Sequence, residues 1–127
     1  MKNVLDALRL ADRWVDAWNR RNLHSLLALY AEDAEFHSPF VTLLASVTAP
    51  ALRGKAALSA HFEASWAVGP WEMMALEDVR LSGDGMTLYV RGGCAPKMEM
   101  EFRLDSNGLI AWSRSRRTRE IPTPRSA

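Results

Sequence analysis

The first residues of the chain repeat on a helical period. Val4, Leu5, Leu8, Ala11, Trp14, Val15 and Trp18 recur at spacings of three and four, so they share one stripe of a helix running to about Arg21. Asn3 stands where a capping side chain is wanted, with Asp6 three positions on. Asn22 suits a left-handed stop, and Leu23, Leu26, Leu27 and Tyr30 then renew the pattern, predicting a second helix after a tight elbow. Ala34–Ser38 reads as a short strand ended by Pro39, and the apolar Phe40–Val47 as a loop or an edge strand. Leu52-Arg53-Gly54-Lys55 reads as a turn into a third helix, with Leu58, Phe62 and Ser65/Trp66 on one side and Gly69-Pro70 as its stop.

The second half changes period. Trp71–Leu81, Met86–Gly92, Lys97–Asp105 and Leu109–Arg117 are strand-like runs separated by Gly-containing turns, which predicts an antiparallel meander. Along the third run Met98, Met100, Phe102 and Leu104 alternate with Glu99, Glu101 and Arg103, the pattern of an apolar inner face and a solvated outer one. On the last run Ile110, Trp112, Arg114 and Arg116 alternate with Leu109, Ala111, Ser113, Ser115 and Arg117, and alternation alone leaves the facing of the two sets open. The expected class is α+β, with three N-terminal helices packed on a curved, mostly antiparallel sheet.

With 127 residues, 48% of them hydrophobic, the chain suits a single core. The expected division is one domain over 1–117 and a basic, Pro-containing tail over 118–127. Five of the aromatics are Trp, which calls for a large apolar interior or a binding surface. The net charge of +1 argues against nucleic acid as a partner. That average hides a basic end: five Arg against one Glu from Arg114 onward, and 11 basic against 14 acidic groups before it. Cys94 is the only cysteine, so no intramolecular disulfide forms and a reducing, cytoplasmic setting is expected. The N-terminal stretch does not resemble a signal peptide, and the longest uncharged run, Phe36–Leu52, is too short and too broken for a bilayer, so no membrane is expected.

The order of these elements, with Trp14-Val-Asp-Ala-Trp-Asn, Leu27-Ala-Leu-Tyr-Ala-Glu-Asp-Ala-Glu-Phe-His-Ser-Pro39 and Leu52-Arg-Gly-Lys-Ala-Ala-Leu58, resembles the nuclear transport factor 2-like superfamily, in particular its SnoaL-like members. The resemblance implies a cone, also described as cystatin-like, whose helices close an apolar cavity, and a homodimer through the outer face of the sheet. It implies no single chemistry, since the fold hosts isomerases, cyclases, hydrolases, dehydratases and plain binding modules. Where isomerases of this group carry a phenol, a protonated acid and a proton-moving Asp, this chain has Trp14, Met100 and Ser38, none of which does the corresponding work. The Asp-Arg-Asp set of the epoxide hydrolases is also missing around Arg91.

The expected ligand is a small hydrophobic molecule, in a cavity lined by Trp14, Trp18, Ser38, Phe62, Met100 and Phe102, with Arg117 at hand for a carboxylate or phenol. If chemistry occurs, as a lyase, isomerase or hydrolase, His37 or His61 is the proton carrier and Tyr30 a hydrogen-bond donor. His37 and Ser38 fall on opposite faces of one strand, so at most one of them points inward. No cofactor is implied, and no His/Asp/Glu spacing marks a metal site. The alternative is a non-catalytic dimeric interaction module whose interior is simply filled, with Trp112 at the interface.

Overall fold

The computed structural model describes residues 3–38, 51–69, 71–93 and 95–117. The apolar Phe40–Val47 stretch and the basic tail lie outside them. Helices α1 (Val4–Asn19) and α2 (Leu23–Leu27) lead into strand β1 (Tyr30–His37). Strand β2 (Ala51–Arg53), helix α3 (Lys55–Ala67) and strands β3 (Glu72–Ser82), β4 (Gly85–Gly93), β5 (Ala95–Leu104) and β6 (Ile110–Arg117) follow. The six strands form one sheet in the order β2-β1-β6-β5-β4-β3. Every pair is antiparallel except β1 with β6, where the first strand of the chain lies beside the last. The class is therefore α+β with a mixed sheet.

Local chemistry accounts for the helix ends. The Asn3 side chain accepts from the Asp6 amide at 3.0 Å and opens α1. The left-handed residue between α1 and α2 is Arg21, at φ 54, and not Asn22. Asn22 instead caps α2, accepting from the Ser25 amide at 3.1 Å, and that role requires extended backbone at Asn22 itself. Tyr30 also departs from its expected helix. Its spacing from Leu23, Leu26 and Leu27 is helical, but the Leu29 carbonyl accepts from the Ile110 amide at 2.9 Å, which draws the chain into the sheet. Tyr30 thus pairs with Ile110, and β1 starts four residues earlier than the Ala34 expected from sequence. The residues read as a turn before α3 contain β2, paired with the end of β1.

Two side-chain-to-backbone links hold the helices against β3. Asn19 on α1 donates to the Met74 carbonyl at 2.9 Å and accepts from the Met74 amide at 2.8 Å, taking the place of a neighbouring strand at the edge of β3. Trp71 Nε1 donates to the Ser65 carbonyl at 2.6 Å and ties the start of β3 back to α3.

The facing of β6 is settled by burial. Ser113 and Ser115 point inward beside Met98, Met100 and Phe102 of β5, while Arg114 and Arg116 point outward. Across the ladder Glu99 faces Arg116 and Glu101 faces Arg114, and both pairs close as ion pairs, at 2.6 and 2.8 Å. Trp112 lies on the same outer face, with the Arg103 guanidinium 4.2 Å from its ring centre. On α1 the buried stripe is narrower than the sequence pattern: Ala7, Ala11, Trp14, Val15 and Trp18 are buried, whereas Val4, Leu5 and Leu8 are exposed.

Gly92, at φ 89, sits beside a break in the β4–β5 register, and a Cβ there would lie 2.4 Å from the Met73 carbonyl oxygen. Gly83, at φ 59, has open space around it. Gly92→Ala is therefore expected to cost about 2–4 kcal/mol and Gly83→Ala about 1 kcal/mol in urea unfolding. Equal costs would show that β3 does not press on Gly92.

Candidate functional site

Between the helices and the inner face of the sheet lies a cavity of about 30 Å³. Helix α1 contributes Trp14 and Trp18, and α3 contributes His61, Phe62 and Ser65. Phe36 and Ser38 come from the end of β1, Met74 from β3, Met98 and Met100 from β5, and Ser115 from β6. Such a volume holds one or two waters, far below the several hundred Å³ of a drug-sized pocket. Anything larger enters only by displacing wall side chains. Met74, Met98 and Met100 are the three unbranched, flexible groups able to yield.

The aromatic wall is continuous. Trp14 and Trp18, one helical turn apart, stack with ring centres 5.9 Å apart and planes within 5°. Trp18 meets Trp66 at 5.4 Å and the edge of Phe62 at 6.3 Å, which carries the contact from α1 to α3. Behind this wall Trp14 Nε1 donates to the Tyr30 hydroxyl at 3.0 Å. The Ser113 hydroxyl lies near enough to that phenol to favour its ionised form, although it falls outside hydrogen-bond geometry. Burial outweighs both neighbours and pushes the Tyr30 phenol well above its ordinary range, so it keeps its proton while accepting from Trp14.

His61 is the single titratable side chain on the wall among the described residues. Its ring lies 5.2 Å from Phe36 and 6.1 Å from Phe62, its Nδ1 has no hydrogen-bond partner there, and burial lowers its pKa. The neutral imidazole is thus the form the site favours. Ser65 spends its proton on the His61 carbonyl at 2.9 Å.

Trp14, Trp18, Ser38, Phe62, Met100 and His61 thus share one wall. Phe102 does not reach it; it is buried behind Trp14, at 6.1 Å between ring centres. Tyr30 likewise stands one layer back. His37 is on the opposite face of the sheet, where its Nε2 bonds the Glu35 carboxylate at 2.5 Å and its ring lies 5.6 Å from Trp112. That bond, reinforced by the Arg53 guanidinium at 2.7 Å, holds the Glu35 carboxyl below the usual range. Alternation along β1 causes the separation of His37 from the cavity. Arg117 is exposed at the end of β6 and takes no part in the wall. Phe36 was legible as a wall residue, since it shares strand parity with Ser38, whereas Ser115 was not, because the facing of its strand stayed open. Met74 was not, because β3 lacks clean alternation at its start. No group of three or more His, Cys, Asp or Glu among the described residues is arranged to hold a metal.

The SnoaL-like domain family matches residues 11–116, and the chain belongs to it. A SnoaL-like protein of unknown function from Burkholderia thailandensis superposes with a TM-score of 0.84 at 21% identity, covering 92% of this chain and 98% of that one. A Methylobium petroleophilum protein of unknown function with a cystatin-like fold gives 0.71 at 12% identity, over 92% and 78%. A Mycobacterium tuberculosis protein in complex with estradiol-17beta-hemisuccinate gives 0.66 at 20% identity, over 89% and 94%. At these identities the likeness shows the fold. No curated protein matches the chain. No helix of the described residues is long and apolar enough to cross a membrane.

The lowered pKa of His61 has a consequence for stability. Above the ordinary value of 6.5 the imidazole is neutral in both states; below it the unfolded chain takes up the proton first, so folding is penalised as pH falls. The loss of melting temperature between about pH 7.5 and 5.5 is expected to be smaller in His61→Phe than in the wild type. Identical losses would place the imidazole in contact with water.

Proposed function

We propose that the protein binds a small hydrophobic molecule in the cavity between α1, α3 and the inner face of the sheet. The observation that carries this reading is the wall itself: aromatic and methionine side chains with three serines and His61 border a void, and among the described residues no Asp, Glu, Lys or Arg lines it. An apolar guest gains from leaving water there, at about 25 cal/mol per Å² buried. The steroid body of the ligand held by the M. tuberculosis relative is in keeping with such a guest, while its hemisuccinate arm carries a carboxylate that this wall has no counter-charge to meet. Lyase, isomerase or hydrolase chemistry at this place has one proton carrier on the wall, His61, while the Trp14 N–H is spent on the Tyr30 hydroxyl one layer back. The isomerase arrangement of phenol and paired acids is not reproduced at Trp14, Met100 and Ser38. The lone cysteine fits a cytoplasmic setting.

Thermal shift with a panel of small neutral aromatic and alicyclic compounds tests the reading. A ligand present at about one hundred times its Kd adds about 2.7 kcal/mol, equivalent to a rise of about 10 °C for a domain of this size. Ser115→Ile, which fills the void, is expected to abolish that rise while leaving the protein folded. A panel without any stabilising compound contradicts the proposal.

A second reading concerns the outer face. Trp112 is only half-buried there, flanked by Arg103 at 4.2 Å, Arg114 at 5.9 Å and the His37 ring, so it is the large aromatic group this face offers a partner. We propose that a second copy covers it, making a homodimer through the sheet. Sedimentation should give a dimer at low micromolar concentration that Trp112→Glu converts to monomer, and a wild-type monomer at about 100 μM would refute the assignment.

A further inference from the structure

The cavity wall also constrains which molecule fits, given the reading that it holds one. All charged side chains of the described residues lie off the wall. A carboxylate or ammonium guest would shed its hydration with no counter-charge to meet it, so the guest is neutral. The polar groups left to recognise it are few. The Trp14 N–H is committed to Tyr30 and the Ser65 proton to the His61 carbonyl, while the Ser38 and Ser115 hydroxyls stand on the wall at the ends of β1 and β6 as further neutral groups. The His61 imidazole is not committed: it is 5% exposed, held against Phe36 and Phe62, and its Nδ1 is without a partner among the described residues.

A neutral imidazole offers one N–H and one lone pair. A hydroxyl both donates and accepts, so it answers either tautomer. A carbonyl answers only the N–H, and a hydrocarbon answers neither. We propose that His61 is the specificity-determining residue of this cavity and selects a neutral alcohol or phenol, with the ligand hydroxyl on the imidazole and the apolar body among Trp14, Trp18 and the methionines. Protonation would leave the ring with two donors and a charge in an apolar wall. The charged groups on the elements packed against α3 are Asp6, Arg9, Asp12, Arg13 and Asp16 on α1, Glu32, Asp33, Glu35 and His37 on β1, Arg53 on β2 and His24 on α2, with Lys55 and Glu63 on α3 itself. None of them lines the cavity, and Glu35 is engaged by His37 and Arg53, so no carboxylate stands ready to hold an imidazolium. Binding therefore weakens in acid.

Calorimetric titration with p-cresol and with toluene, which differ only by the hydroxyl, tests this on the full chain. At about pH 7.5 p-cresol is expected to bind at least about tenfold tighter than toluene. His61→Phe should reduce p-cresol to the affinity of toluene, and His61→Gln, which keeps a donor and an acceptor, should restore part of the preference. Lowering the pH to about 5 should weaken p-cresol more than toluene. Equal affinities in the wild type, or a preference that survives in His61→Phe, overturn the assignment of His61 while toluene binding still upholds the cavity. Failure of both compounds to bind overturns the cavity reading as well. If His61→Phe does not fold, NMR titration of the wild-type His61 ring decides: saturating p-cresol should lower the titration midpoint of the imidazole, and an unchanged midpoint overturns the proposal.

Discussion

The buried hydrogen bond from Trp14 to Tyr30 fixes the rest of the interior. It joins α1 to the start of β1, two elements 16 residues apart in sequence, in a place where neither group has water as an alternative partner. An indole N–H or phenol left unpaired there would cost about 1–3 kcal/mol. With the Trp14 ring so oriented, Trp18 stacks on it, and Trp18 in turn sets the approach of Phe62 and Trp66 on α3. His61 precedes Phe62 on that helix, so the one titratable group on the cavity wall owes its position to a contact made on the other side of the core. The Asn19 side chain completes the frame by docking the end of α1 on Met74, itself a wall residue.

The sheet separates two chemistries. Its inner face carries methionine, phenylalanine and serine, and its outer face carries glutamate and arginine in register. On β5 alternation sets this division, Met98, Met100 and Phe102 inward and Glu99, Glu101 and Arg103 outward, and on β6 burial of Ser113 and Ser115 puts Arg114 and Arg116 opposite the two glutamates. These exposed ion pairs contribute little to stability individually, about 0–1 kcal/mol each. They lie on the far side of the sheet from the cavity. Among the described residues the cavity wall thus carries no acid, and its polar groups are three serines and a single histidine.

Much of this was legible in the sequence. Period 3.6 marked α1 and α3, and period 2 marked β3 to β6. The resemblance carried by the Trp14–Asn19 and Leu27–Pro39 strings pointed to the family that residues 11–116 match. What escaped was set by contacts distant in sequence. Tyr30 continued a helical spacing yet joined β1, because Ile110 pairs with it from the far end of the chain. Arg21 took the left-handed position because Asn22 was needed as a cap. The two candidate proton carriers could not be ranked by residue type. Strand parity put His37 outside beside Trp112, and the packing of α3 put His61 inside. The smallness of the cavity was not readable at all, since the volume left between large side chains depends on rotamers and helix approach, not on composition.

The account turns on whether a guest occupies this cavity by moving its methionines. The direct measurement is the NMR spectrum of methyl-labelled methionines during titration with a neutral aromatic compound such as p-cresol. The ε-methyl signals of Met74, Met98 and Met100 are expected to shift together and saturate at one affinity, while that of the exposed Met73 stays in place. Saturable shifts confined to Met73, or no shift at any of the four, would contradict the account.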